Sequence, residues 1–149
     1  MKTKKTLVMV VGVILLLISS VCFIFNTPWY KTTDYELKIP SSFQISSDDE
    51  NILIYQAEKN VGGITHYTES TTYDALINLL QNGEQWSSYS LESDNFADKL
   101  LTFVNTSSKE YHHYIYRTQN KGIYDLWFCT NDISEENELM IAEQFKIKQ

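Results

Sequence analysis

From Leu7 to Phe25 the chain reads LVMVVGVILLLISSVCFIF, nineteen residues in which only Gly12, Ser19 and Ser20 are not apolar. A helix of that length rises roughly 28 Å, close to the hydrocarbon thickness of a bilayer. The run has no polar face with a 3.6-residue period to turn toward water, so it reads as a transmembrane helix rather than a core helix. A cleaved signal peptide starts in the same way, and Cys22 raises a lipid-attachment alternative, although Val21 before it is a poor match. Three details favour a retained anchor: the run is longer than the roughly 7–15 apolar residues of a signal core, Phe23, Ile24 and Phe25 are bulky where a cleavage site needs small residues, and Trp29 with Tyr30 falls at the headgroup level. Lys2, Lys4 and Lys5 then hold the N-terminus in the cytoplasm, which predicts a single-pass protein of the cell membrane with its C-terminal part outside.

Charge divides the same way. The 149 residues carry 12 Lys and Arg against 19 Asp and Glu, a net charge of −7; three lysines lie in the first six residues, so the rest carries 9 − 19 = −10. The expected organisation is a cytoplasmic stub over 1–6, the anchor over 7–25, a linker over 26–33 and one extracytoplasmic domain over 34–149. A two-domain enzyme does not fit this length. No basic stripe is present to bind phosphate polyanions, which excludes a sequence-independent nucleic-acid partner. With only Cys129 after the apolar run, the domain makes no internal disulfide and relies on its core. Eleven Lys against the single Arg117, beside ten Asn, point to an AT-rich coding genome such as that of a Gram-positive bacterium.

Along the domain, Tyr35, Leu37 and Ile39 alternate with Glu36 and Lys38 as in a half-buried strand that Pro40 ends. A short extended piece at Phe43–Ile45 leads to a Ser- and Asp-rich loop over 46–50. NILIYQA at Asn51–Ala57 and VGGITHYT at Val61–Thr68 form a hairpin, with Gly62-Gly63 marking a bulge or a close backbone approach. Thr71 or Thr72 caps a helix of about ten residues whose apolar positions are Ala75, Leu76, Leu79 and Leu80 and which stops at Asn82-Gly83. Trp86–Leu91 is ambiguous, and KLLTFVN at Lys99–Asn105 is a strand. Tyr111–Thr118 and Ile123–Thr130, joined by Gln119-Asn120-Lys121-Gly122, give the strongest hairpin signal. Tyr124, Leu126 and Phe128 should face the core, with Asp125 and Trp127 on the other side. Ser134 caps a last helix with Leu139, Ala142 and Phe145 on its buried stripe. The fold class that follows is α+β: an N-terminal transmembrane helix, then one antiparallel sheet packed with two or so helices.

The order of an opening YELKIPSSFQI segment, hairpins, a central helix, an aromatic hairpin and a terminal amphipathic helix running into FKI resembles the PsbP-like α+β domains. The resemblance covers roughly Asp34 to Lys148, with landmarks at Leu37–Phe43, Tyr124–Phe128 and Glu138–Ile147. Such domains occur in small bacterial lipoproteins and membrane-anchored proteins. The resemblance brings no catalytic motif and implies a non-enzymatic accessory or binding role.

Among residues that carry chemistry, His112-His113 is the visible pair, and His66 is the third histidine. Neighbours in a strand point to opposite faces and do not chelate one ion, so a metal site would need one of them, His66 and a carboxylate such as Glu69 or Glu110. No metal, cofactor or catalytic residue is expected. No nucleophile elbow is present, Cys129 sits in a strand as a packed thiol, and the clusters Asp48-Asp49-Glu50 and Glu135-Glu136-Glu138 are explained as a solvated turn and a helix start. Of the aromatic band Tyr111, Tyr114, Tyr116, Tyr124, Trp127 and Phe128, half must be core by alternation. That leaves His113, Trp127 and Tyr111 as candidate ligand-binding residues. The expectation is a membrane-anchored extracytoplasmic binding or accessory protein, a sensor or immunity-type subunit whose partners are the membrane through Leu7–Phe25 and a protein or cationic peptide. The alternatives are a structural subunit of a membrane complex and, should His66 and His113 converge on a cleft with a carboxylate, a small hydrolase.

Overall fold

A computed structural model describes residues 29–48, 51–68, 70–83, 86–92, 97–118 and 122–148. Among these residues ten strands and two helices follow in the order β1 (Trp29–Lys31), β2 (Tyr35–Lys38), β3 (Phe43–Asp48), β4 (Asn51–Gln56), β5 (Lys59–Tyr67), α1 (Tyr73–Gly83), β6 (Trp86–Glu92), β7 (Lys99–Asn105), β8 (Glu110–Arg117), β9 (Ile123–Cys129), α2 (Glu135–Gln144) and β10 (Lys146–Ile147). Every strand pairing is antiparallel. A three-stranded sheet has the order β1-β2-β10, and a seven-stranded sheet has the order β3-β4-β5-β9-β8-β7-β6.

The large sheet is two meanders joined edge to edge. The chain leaves β5 in the middle, is carried through α1 to the far edge at β6, and returns strand by strand until β9 closes against β5. Its two faces are covered differently. On one, Ile54, Ile64, Tyr114, Tyr116, Leu126 and Phe128 pack with Tyr35 and Leu37 of the small sheet and with Ile141, Ala142 and Phe145 at α2. On the other, Leu76 of α1, flanked by Ile77 and Leu80, packs on Leu101, Phe103, Ile115 and Ile123. A fully buried aliphatic or aromatic side chain of this kind contributes about 1.5–3 kcal/mol, so both layers matter to stability.

This corrects the architecture read from the sequence on two counts. The described residues form two sheets rather than one: Trp29–Lys31, read as linker, and Lys146–Ile147, read as the run-out of a helix, both pair with β2 and draw it away from the main sheet. Periodicity marks a strand but carries no information about its partner. No helix among the described residues is long and apolar enough to cross a membrane, so the single-pass transmembrane architecture is corrected as well. The run Leu7–Phe25 and the stub before it lie outside the described residues.

Local chemistry explains the elements that were legible. Thr72 Oγ1 accepts from the Ala75 N–H at 3.2 Å and caps α1, and Ser134 Oγ accepts from the Asn137 N–H to cap α2. Ala57 and Glu58, both at positive φ, make the tight turn between β4 and β5. The ambiguous Trp86–Leu91 stretch is a strand, and the Ser- and Asp-rich stretch read as a loop stays paired through Asp48.

α2 differs from its expected stripe. Glu138, Ile141 and Ala142 are its buried residues, and the Glu138 carboxylate is only 3% exposed. It accepts from the Tyr114 hydroxyl at 2.8 Å and lies 2.6 Å from His112 Nδ1, while Glu110 lies 3.2 Å from His112 Nε2. The hydrogen bond to Glu138 raises the His112 pKa against the opposing effect of burial, and the charges of Glu138 and Glu110 add to it. A histidine that binds its proton more tightly in the fold contributes stability that is complete below its unfolded value of about 6.5. That contribution disappears as the pH rises through the folded value. Denaturant unfolding across this range should therefore show stability falling with rising pH, and His112→Gln should remove that part of the slope; an unchanged slope would show that the clamp between β8 and α2 is not electrostatic.

Candidate functional site

Alternation along three adjacent strands brings one set of side chains to the α1 side of the large sheet. His113 pairs with Trp127, Tyr111 with Cys129, and Thr65 and Ile115 flank Asp125 from the two neighbouring strands. Beyond the contact with Leu76, α1 does not cover this floor. A cleft of about 560 Å³ opens there, with Leu79 and Leu80 as one wall, Tyr67, Tyr111, His113 and Trp127 in the floor, and Lys109 and Asp132 at one end. The volume lies within the range of small-molecule sites, roughly 300–1,000 Å³.

Two glycines make the floor possible. A Cβ at Gly63 would lie 2.9 Å from Trp127 Cζ2 and 2.5 Å from the Ile52 carbonyl oxygen, so the indole occupies the space a side chain would take. On the opposite face, a Cβ at Gly62 would meet Phe128 Cδ1 at 2.6 Å. The backbone approach read from Gly62-Gly63 is present, and a bulge lies beside it where the β4–β5 register shifts between Ile54 and Tyr55. The pair lets β9 place a large aromatic ring on each face at successive residues.

Beneath the cleft lies a buried ion-pairing group. Asp125 is 1% exposed, and His113 Nδ1 donates to its carboxylate at 2.9 Å from Oδ2 and 3.1 Å from Oδ1. A carboxylate at this depth needs such a partner, because burial without one costs several kcal/mol. The Phe103 ring meets the imidazole edge-on at 5.3 Å and fixes its plane. Burial, and then the Asp125 charge, push the Tyr67 hydroxyl far up, so it stays protonated and able to donate. At the open end Lys59 Nζ donates to Asp132 Oδ1 at 2.5 Å and Lys109 Nζ lies 4.0 Å from Oδ2. The Lys59 hydrogen bond holds the Asp132 carboxyl below its ordinary range. Cys129 is shifted upward by burial and by its hydrogen bond to Asp132, the reverse of what a thiolate nucleophile requires.

The structure thus brings His113, Trp127 and Tyr111 to one cleft. It separates His113 from the other histidines. His66 points to the opposite face of the sheet, where it is exposed and stacks on Tyr124 with ring centroids 4.4 Å apart, and His112 belongs to the α2 clamp. Glu110 is bound to His112, and Glu69 lies outside the described residues. Among the described residues no group of three or more His, Cys, Asp and Glu side chains has the geometry to hold a metal ion. Of the aromatic band, Tyr114, Tyr116, Tyr124 and Phe128 belong to the α2-side core. Sequence reading missed Asp125, Asp132, Tyr67 and Leu79 as members of the site. For Asp125 a signal exists, since a charged residue in the middle of IYDLWFC must find a partner if both faces of the strand are covered.

No protein-family model and no curated protein matches the chain. In fold it is similar to a crystal structure of a protein from Bacteroides thetaiotaomicron VPI-5482, with 15% sequence identity and a TM-score of 0.41. The match covers 77% of this chain and 45% of that one, so the chain spans less than half the length of that protein. A likeness at this level carries no argument about function.

The position of Trp127 over Gly63 is testable without a ligand. With Trp29→Phe and Trp86→Phe leaving Trp127 as the only indole, Gly63→Ala should shift its emission toward that of an exposed tryptophan and destabilise the fold by about 1–3 kcal/mol, as overpacking does. An unchanged spectrum would mean that the ring does not lie on the floor.

Proposed function

We propose that the domain is a non-enzymatic binding module that works outside the cytoplasm, and that the cleft beneath α1 is its ligand site. The observation that carries this reading is the convergence of Tyr111, His113 and Trp127 on one cleft over a buried Asp125. Tyrosine and tryptophan are the residues that anchor binding energy at interfaces, and the buried His113–Asp125 pair supplies a rigid floor beneath them. The upward-shifted Cys129 thiol and the position of His66 on the opposite face weigh against a hydrolase. The PsbP-like resemblance and the basic start followed by an apolar run support, from the sequence side, an accessory role in an exported protein.

The chemistry of the cleft suits an amphipathic cationic peptide. Leu79 is 54% exposed at its lip, and the aromatic floor offers apolar contact. The domain as a whole carries −10 after the first 25 residues, which draws a basic ligand in over a Debye length, about 8–10 Å in physiological salt. Within the cleft Asp125 and Asp132 are already matched to His113 and to Lys59 and Lys109, so attraction comes from the surrounding surface and affinity from the rings. A titration of the Trp29→Phe, Trp86→Phe chain with a synthetic lysine–leucine peptide, read by Trp127 emission, should saturate and weaken with salt, whereas the glutamate–leucine analogue should not bind. Tyr111→Ala should weaken binding about tenfold or more. A response that does not saturate, or one indifferent to Tyr111→Ala, would contradict the assignment.

A further inference from the structure

Among the described residues two large apolar side chains are exposed. Leu79 belongs to the cleft. Trp29, 48% exposed, lies elsewhere, on the outer face of the three-stranded sheet. The register of that sheet sorts its residues cleanly. Tyr30, Tyr35, Leu37 and Ile147 turn inward to the core. Trp29 opposite Lys38, and Lys31 and Lys146 on either side of Glu36, turn outward.

Two of these lysines lie over the indole. Lys31 Nζ lies 3.9 Å and Lys38 Nζ 4.3 Å from the Trp29 ring centroid. Lys148, directly after β10, donates to the Thr32 carbonyl and lies 3.8 Å from Glu36, which also faces Lys31 at 3.6 Å. Four of the nine basic residues after the apolar run therefore meet on this one small sheet, against Glu36 and the Asp34 turn, in a domain whose total is −10. The inward residues alone join the core, while Lys31, Lys38 and Lys148 are held by local contacts to Trp29, Glu36 and the Thr32 carbonyl.

We infer that this outer face, with Lys31 and Lys38 over Trp29 on one side of β2 and Lys146 and Lys148 on the other, is a docking surface for anionic phospholipid headgroups. Charge complementarity selects an anionic partner, and the exposed indole selects a lipid surface, where tryptophan settles at the headgroup level and lysine stems lie along apolar material with their ammonium groups in the phosphate layer. The face is the end of the domain that chain connectivity brings next to the apolar run ending at Phe25, three residues before Pro28 and four before Trp29. Electrostatics supply orientation too: the basic face is drawn to a negative surface while the acidic remainder is held off it. The cleft lies on the far side of the large sheet, separated from the small sheet by the α2-side core. Docking by this face therefore leaves the cleft accessible.

The test uses the full chain with Trp86→Phe and Trp127→Phe, so that Trp29 is the reporter. Vesicles of phosphatidylcholine alone are compared with vesicles containing phosphatidylglycerol, each with and without bromine-labelled acyl chains. The expected result is a blue shift and bromine quenching of Trp29 that grow with phosphatidylglycerol content and fade in high salt. Replacing Lys31, Lys38, Lys146 and Lys148 by Gln should reduce the phosphatidylglycerol-dependent part at least about tenfold. The salt titration needs no lysine variant and stands even if the quadruple change perturbs folding. Equal Trp29 responses with both lipids, or a response to soluble polyglutamate that exceeds the one to phosphatidylglycerol vesicles, would overturn the inference, the second in favour of an acidic protein face.

Discussion

Asp125 sits in the strand that joins the two halves of the large sheet, with the α2-side core behind it and the α1-side layer in front. At 1% exposure its carboxylate has lost its water, and His113 Nδ1, bridging both oxygens, replaces it. Removing one member of such a pair leaves a buried charge without compensation, which costs about 3–5 kcal/mol. β9 pairs with β5 on one side and β8 on the other, so the register that aligns His113 with Trp127 and Thr65 with Asp125 also fixes how the two meanders meet. The floor of the cleft and the closure of the sheet are the same arrangement of side chains.

Around that strand the two faces divide their work. The α2 side is closed, apolar and aromatic, and the buried carboxylate of Glu138 holds a helix on the sheet there through Tyr114 and His112. The α1 side is closed at Leu76 and open beyond it, because a helix of eleven residues covers only part of a face seven strands wide. The successive rings of Trp127 and Phe128 need Gly63 and Gly62 beneath them, one on each face. Closed packing behind and open packing in front are thus set by neighbouring residues of β5 and β9.

Much of this was legible from local chemistry. The β8–β9 hairpin, the caps at Thr72 and Ser134, and the assignment of Tyr124, Leu126 and Phe128 to one face with Asp125 and Trp127 on the other all follow from alternation and capping residues, which act over a few positions. What was not legible depends on distant partners. The short strands Trp29–Lys31 and Lys146–Ile147 acquire meaning only by meeting β2, and nothing local distinguishes them from linker and helix tail. His113 reads as a half-exposed position because its own strand alternates, yet it is buried, with Phe103 of β7 edge-on against its ring and the Asp125 carboxylate on its Nδ1. Glu138 reads as one of the charges of a helix start, since the partners that bury it lie on β8. The candidate residues Tyr111, His113 and Trp127 fall on one cleft because three strands share a face, whereas Asp132 and Leu79 reach it from a loop and a helix that no spacing rule links to them.

The most direct measurement of this account is a double-mutant cycle on His113 and Asp125, with each changed to an apolar residue singly and together, and unfolding free energies taken from denaturant titration. Each single change should destabilise strongly, and the double change should cost clearly less than the sum, with a coupling of about 2 kcal/mol or more. Additive costs with no coupling would contradict the claim that this buried pair holds the centre of the sheet and the floor of the cleft together.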